Sequence, residues 1–290
     1  MTRTPDATGL PLGVMQGRLS PKVEGRYQSH PQAHWRGEFA LAASLGLCCI
    51  EFIVDTPSLG NNPMLRPGGA DEVRAVVEES GVRVLSLCAD CFMDLPLHDA
   101  APARRDQAWE LFGRLLESSA RVGVADIVIP CVDASSLALD AGAPARLAEV
   151  LRQAAPLARA QGIRLALETD LGPSEFAALL AGLPAEITVN YDIGNSAALG
   201  FAPGEELAAY GDRLSSVHVK DRLLGGGSVA LGTGAADFAS FFAALAATKF
   251  RGPFIMQAYR DDEGLAVFKR QLEWFAPIMS GWLQEQGERA

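Results

Sequence analysis

Short apolar runs alternate with longer amphipathic segments along almost the whole chain. The apolar runs have the length and the β-branched content of strands, as in "LCCIEFIV", "DIVIPCV" and "ITVNYDIG". The segments between them carry apolar residues at helical spacing, and several end in glycine before the next strand, as "ADEVRAVVEESG" does. Eight such strand and helix units with no evident linker predict a single α/β domain over residues 1–290, a closed (β/α)₈ TIM barrel.

Side-chain alternation within the later strands predicts which residues face the barrel axis. In "SVHVKD", Val217 and Val219 share the face that packs against helices, so His218 points inward. The same alternation turns Glu168, Asp192 and Gln257 inward at the ends of three other strands. Because the carboxyl ends of barrel strands form the mouth in which barrel enzymes work, we expect these four side chains to converge there.

Such a set of oxygen and nitrogen donors suits a divalent metal ion. Two carboxylates, an imidazole and an amide oxygen are ligands for Mn²⁺, Mg²⁺, Co²⁺ or Zn²⁺. Without a cation, the two buried carboxylates would raise each other's pKa. Taken singly, the histidine could be a hydrogen-bonded core residue and the carboxylates could cap the following helices. Their joint placement favours one shared metal site.

Composition narrows the range of partners. The net charge of -10 argues against binding to nucleic acid, which needs a basic surface. We find no apolar run long enough to span a bilayer and no apolar core of an export signal at the start, so we expect a cytoplasmic protein with no membrane contact. The five cysteines are an odd number, which suits free thiols in a reducing compartment.

Several motifs resemble those of the sugar phosphate isomerase/epimerase family of xylose isomerase-like barrels. They are "GVMQGRLSP", "LALETD", "NYDIGNSAALG", "SVHVKDR", "LGTGAADF" and "GPFIMQAYR". The resemblance implies a (β/α)₈ barrel with one divalent metal, most often Mn²⁺, held by Glu168, Asp192, His218 and Gln257, and it also implies a homodimer. The chain departs from the family's epimerases at Gln257, where they carry a glutamate that binds the metal and exchanges a proton with substrate.

The expected activity is that of a metal-dependent aldose–ketose isomerase or ketose epimerase, acting on a sugar or sugar phosphate through an enediolate. Glu168 is the expected base, and Lys220 is expected to stabilise the developing oxyanion. We expect Arg18, His98 and Arg222 to contact the substrate. An amide cannot act as a base, so a one-base isomerase tolerates Gln257 better than a two-base epimerase does.

Two other functions stay open at this point. A sugar-binding barrel, or a lyase or dehydratase of the same fold, would also lack the second glutamate. A hydrolase resembling endonuclease IV would need a multi-zinc cluster of several histidines. The chain has four histidines, and only His218 lies at a well-placed strand end.

Overall fold

The structure is a computed structural model that describes residues 11–289. The start of the chain, in which an export signal was sought, lies largely outside this range. Eight parallel strands close into a barrel, which confirms the predicted (β/α)₈ fold. Around the barrel these strands follow chain order: β1 (Leu12–Met15), β2 (Cys49–Ile53), β3 (Arg83–Cys88), β4 (Asp126–Cys131), β5 (Arg164–Thr169), β6 (Ile187–Asp192), β7 (Leu214–Val219) and β10 (Phe254–Met256).

Helices follow the barrel strands. They are α1 (Trp35–Ser44), α2 (Gly69–Ser80), α3 (Cys91–Asp94), α4 (Pro102–Val122), α5 (Ala143–Ala160), α6 (Pro173–Ala181), α7 (Ile193–Leu199), α8 (Pro203–Tyr210), α9 (Phe238–Leu245) and α10 (Leu265–Arg289). The glycine stops are confirmed at α2 and α4, where Gly81 and Gly123 adopt φ of 72° and 88°. Such a left-handed cap costs glycine no Cβ clash. The short helices α3 and α7 were not predicted, because neither is long enough to show a helical period.

The glycine-rich segment after β7 contains a small hairpin. Its strands β8 (Asp221–Arg222) and β9 (Ser228–Val229) pair antiparallel. The Asp221 carboxylate accepts backbone hydrogen bonds from Gly232, Gly234 and Ala236 at 2.8–3.0 Å. These bonds hold the segment over the mouth of the barrel and fix the position of Arg222.

The core has two layers, as strand alternation predicts. Val217, Val219 and the outward-facing apolar residues of the other strands pack among the helices. A smaller cluster fills the inside of the barrel: Met15, Cys49, Ile53, Cys88, Val128, Ala166 and Ile255. The outward Leu165 and Leu167 flank the inward Ala166, so the next inward position on β5 is Glu168. The barrel interior is therefore sealed by apolar side chains below a polar mouth.

All five cysteines are free thiols, and four of them are buried. Within residues 11–289, no helix combines the length and the hydropathy needed to cross a membrane. The homodimer stays a prediction.

Candidate metal and sugar site

Three of the predicted ligands meet at the carboxyl ends of neighbouring strands. Glu168, Asp192 and His218 are all buried, and each offers one ligand atom such that the three atoms lie within 4.8 Å of one another. Asp192 and His218 are direct partners in the register of β6 and β7. Three inward side chains on consecutive strands of a closed barrel thus form a single compact donor group.

His218 lies between carboxylates on both sides of its ring. Its Nε2 is 2.7 Å from Glu51 Oε1, and its Nδ1 is 3.2 Å from Glu168 Oε2 and 3.9 Å from Asp192 Oδ2. Burial alone would lower the pKa of His218, but the charges and hydrogen bonds of Glu51 and Glu168 raise it well above its usual value. A metal on the Nδ1 side would require the neutral ring, with its single proton on Nε2 and donated to Glu51. A carboxylate behind a metal-binding histidine commonly fixes the ring in this way.

Two asparagines hold the carboxylates in place. Asn190 Nδ2 donates to Glu168 Oε2 at 2.9 Å, and Asn195 Nδ2 donates to Glu168 Oε1 at 2.7 Å. The backbone N–H of Asn195 donates to Asp192 Oδ1 at 2.8 Å, so Asp192 also caps the N-terminus of α7. Asp192 can therefore cap the helix through Oδ1 and still offer Oδ2 to a metal, because Oδ2 remains on the side of His218.

Gln257, which follows β10, uses only one end of its side-chain amide in hydrogen bonds among the described residues. Its Nε2 donates to Gln28 Oε1 at 2.9 Å, whereas its own Oε1 is buried and has no hydrogen-bond partner among residues 11–289. A buried carbonyl oxygen without a partner is costly. Gln257 lines the same cavity as Glu168, and an amide oxygen is a donor that divalent ions accept, so Gln257 stays the predicted fourth ligand.

Lys220 and Arg222 line the cavity above these donors. Lys220 Nζ donates to Asp192 Oδ2 at 3.3 Å and to Asn195 Oδ1 at 3.1 Å. Arg222 donates through NH1 to the same Asn195 oxygen at 2.8 Å and through Nε to the carbonyl of Gly226 at 2.9 Å. Both cations are thus held at the cavity wall and retain N–H groups for a ligand.

Two of the expected substrate contacts do not lie in the cavity wall. Arg18 is fully buried beneath it, where it donates to the carbonyls of Ala258 and Tyr27 and to Gln28 Oε1. Its donors are directed to protein oxygens, so we assign Arg18 to positioning Gln28 rather than to touching substrate. His98 is also buried away from the cavity; burial, with the nearby charge of Arg146, lowers its pKa.

The cavity has a volume of about 480 Å³, and both Glu168 on β5 and Asp90 line it. Asp90 lies just after β3, one strand removed from β5. Its pKa is raised to about 6, first by burial, while hydrogen bonds from Gln28 and Cys88 lower it. Sequence reasoning missed Asp90, although the alternation through the inward Ser86 and Cys88 predicts that it faces inward. Glu51 on β2 contacts His218 on β7, three strands away around the barrel, and no local pattern indicates that pairing.

The fold and the site place the chain among known proteins. It belongs to the family of xylose isomerase-like TIM barrels, whose model matches residues 39–278. A solved structure of a xylose isomerase-like TIM barrel protein from Mycobacterium smegmatis, in complex with magnesium, superposes with a TM-score of 0.71 at 18% identity. The match covers 97% of this chain and 100% of that one.

Two relatives in sequence are epimerases of sugar phosphates by name. The chain is 31% identical over 216 residues to a 2-epi-5-epi-valiolone 7-phosphate 2-epimerase of an Actinoplanes strain, covering 72% of this chain and 77% of the relative. It is 26% identical over 243 residues to a putative L-ribulose-5-phosphate 3-epimerase of Escherichia coli K12, covering 78% and 84%. The relatives therefore support an enzyme of the isomerase class.

Proposed function

We propose that this protein is a divalent-metal-dependent epimerase or isomerase of a small sugar phosphate, working by proton transfer through an enediolate. The observation that carries the proposal is the convergence of Glu168, Asp192 and His218 within 4.8 Å beside a cavity large enough for a sugar. Both named relatives act, by their names, on phosphorylated substrates with epimerase chemistry.

A divalent metal would be held by Glu168, Asp192, His218 and the free oxygen of Gln257. When bound, it would polarise a substrate carbonyl and an adjacent hydroxyl and so acidify the C–H bond of the hydroxyl-bearing carbon. We propose Mn²⁺, with Mg²⁺, Co²⁺ and Zn²⁺ as the alternatives; the Mycobacterium smegmatis relative was solved with magnesium. Three oxygen donors and one imidazole are compatible with each of these ions.

Glu168 is the proposed base. Its two oxygens accept hydrogen bonds from Asn190 and Asn195, which fix the carboxylate at the cavity floor. The carboxylate takes the proton from the carbon next to the carbonyl, and the C–H electron pair becomes the double bond of the enediolate. Lys220 lies at the same wall, where its ammonium group stabilises the negative charge that develops on the substrate oxygen.

The phosphate is proposed to lie toward the hairpin after β7. Arg222 lines the cavity there, and Arg26 lines it from the loop after β1. Guanidinium groups match the geometry of phosphate oxygens, so they suit this end of a phosphorylated ligand. Arg18 takes no part in this contact, since its donors are bonded inside the protein.

Proton exchange with solvent tests the proposal directly. D- and L-ribulose 5-phosphate, D- and L-xylulose 5-phosphate and the unphosphorylated ketoses are incubated with the enzyme in D₂O, with Mn²⁺ or with EDTA. Deuterium at the carbons next to the carbonyl is followed by NMR. We expect Mn²⁺-dependent exchange that favours the phosphorylated sugars and falls about 10²–10⁴-fold in Glu168→Gln, the usual contribution of a positioned base.

Glu149→Gln serves as the matched control, because Glu149 is exposed on α5. Full exchange by Glu168→Gln would remove Glu168 as the base. Binding of these sugars without any exchange by the wild type would instead support a sugar-binding barrel, and loss of water from the sugar would support a dehydratase. These two alternative functions are tested because Gln257 carries an amide where the family's epimerases carry a glutamate.

A further inference from the structure

Inversion at a carbon atom needs proton transfer at both of its faces. Glu168 serves one face, but the last barrel strand ends in the amide of Gln257, which has no proton to exchange in the neutral range. An epimerase built on this chain therefore needs another acid in the same cavity. This need for a second acid rests on the proposed function.

Five carboxyl groups line the cavity among the described residues, and four of them have another position or task. Glu168 is the base already assigned. Asp94 and Asp133 are exposed at the rim. Asp55 is buried, accepts a hydrogen bond from Ser29 at 2.7 Å and lies 4.0 Å from the guanidinium of Arg26. Asp90 is the remaining group.

Asp90 lies at the correct end of the barrel and on its inner side. It follows β3 directly, and the inward Cys88 two residues earlier shows which face the chain presents there. One strand, β4, separates β3 from β5, so at about 4.8 Å per strand the ends carrying Asp90 and Glu168 are roughly 10 Å apart along the sheet. A sugar carbon fits between two groups at that separation.

A chain of amides holds Asp90 in place. Gln28 Nε2 donates to Asp90 Oδ2 at 2.7 Å, and Gln28 Oε1 accepts from Gln257 Nε2 at 2.9 Å and from Arg18 at 3.0 Å. Because Arg18 can only donate, the oxygen of Gln28 must face it and the NH₂ must face Asp90. Gln257, which replaces the family's glutamate, is therefore connected to Asp90 through the side chain of Gln28.

The chemical environment suits proton exchange. The pKa of Asp90 is raised to about 6, first by burial and to a smaller extent by the charges of Glu168 and Asp55, while the hydrogen bonds from Gln28 and Cys88 lower it. Each oxygen of Asp90 accepts one hydrogen bond, from Gln28 or from the Cys88 thiol at 3.1 Å. A carboxyl group poised near neutral pH can both give and take a proton.

We propose that Asp90 is the second catalytic acid of this site, which exchanges a proton with the substrate carbon on the face opposite Glu168. In one direction Glu168 removes the proton and the enediolate forms. The protonated Asp90 then gives its proton to the same carbon, the enediolate electron pair forms the new C–H bond and the carbonyl returns. Asp90 ends as a carboxylate and Glu168 as a carboxylic acid, and both exchange protons with solvent. In the reverse direction the two groups change roles.

The test separates proton removal from inversion in the Asp90→Asn variant. The probe is the ketose phosphate on which the wild type exchanges fastest, in D₂O with Mn²⁺. Deuterium incorporated into the unchanged substrate reports Glu168, and deuterium in the epimer reports inversion. We expect Asp90→Asn to invert about 10²–10³-fold more slowly, as for loss of a general acid, while exchange into the substrate and Mn²⁺ affinity stay within about threefold of the wild type.

Asp106→Asn, an exposed aspartate on α4, is the matched control, and Asp90→Ser is measured in parallel in case Asp90→Asn does not fold. Unchanged inversion in the Asp90 variants would overturn the role of Asp90 and leave the proposed function standing. An equal fall in exchange, inversion and Mn²⁺ affinity would also overturn it, because that pattern is expected of a structural residue. A wild type that exchanges none of the probes would refute the proposed function itself and, with it, this role.

Discussion

The two walls of the cavity are built from different chemistry. On the wall of β5, β6 and β7, two carboxylates and an imidazole converge, and hydrogen bonds from Asn190, Asn195 and Lys220 hold them. On the side of Gln28 and Asp90, the second wall, amides predominate: Gln28 connects Asp90, after β3, to Gln257, after β10. The first wall matches what the family resemblance implies, and the second departs from it. Under the proposed roles, metal binding and the second proton transfer depend on different groups within one barrel mouth.

Removal of the metal should have the largest effect and should act through the four proposed ligands, Glu168, Asp192, His218 and Gln257. We expect EDTA to lower proton exchange by about 10³-fold or more, because a bound cation supplies several kcal/mol of charge stabilisation to the enediolate. Mn²⁺ added back should restore the rate. The measurement is deuterium exchange before and after chelation. An unchanged exchange rate in metal-free enzyme would contradict the proposed metal site.

Neutralising Asp90 should change stability in a pH-dependent way. The folded pKa of about 6 lies above the usual 3.8 of an aspartate, so the ionised carboxyl destabilises the folded state above pH 6 and this penalty disappears as the pH falls toward 4. At about 1.4 kcal/mol per pKa unit, Asp90→Asn should be more stable than the wild type by up to about 3 kcal/mol at pH 8, with a smaller difference at pH 5.

Urea unfolding in EDTA at the two pH values measures this difference, and Asp106→Asn provides the control for an exposed carboxyl. A stability difference that does not depend on pH would show that Asp90 has an ordinary pKa. The second wall would then lack a group suited to proton exchange near neutral pH.

Glu51→Gln should have the smallest effect of the three and sharpen the account of the first wall. Glu51 contacts His218 Nε2 at 2.7 Å and accepts a hydrogen bond from Ser86 at 2.6 Å, so it orients the ring without reaching the cavity. Loss of such a partner typically weakens metal binding by about 10–100-fold. Titration calorimetry with Mn²⁺ measures the change against Glu149→Gln, and equal affinities would assign Glu51 to packing alone.

Much of the fold and part of the site could be predicted, because both depend on the periodic spacing of apolar and polar residues within short segments of the chain. The alternation of strands and helices gave the closed barrel, and the period of two gave the inward direction of Glu168, Asp192 and His218. The same period would have given Asp90, had it been applied to β3. Arg18 could not be placed in this way, because it follows a strand in an irregular loop whose path no period describes.

By itself, the sequence determined the closed barrel and the list of polar side chains that enter its mouth, since each depends on residues close together along the chain. Only the tertiary structure decided which of these groups meet. Glu51 and His218 are 167 residues apart, and Gln28 and Gln257 are 229 residues apart. Such contacts depend on closure of the sheet and on the path of the loop after β1, which bring residues distant in sequence together. The sequence around each residue carries no signal for such a contact.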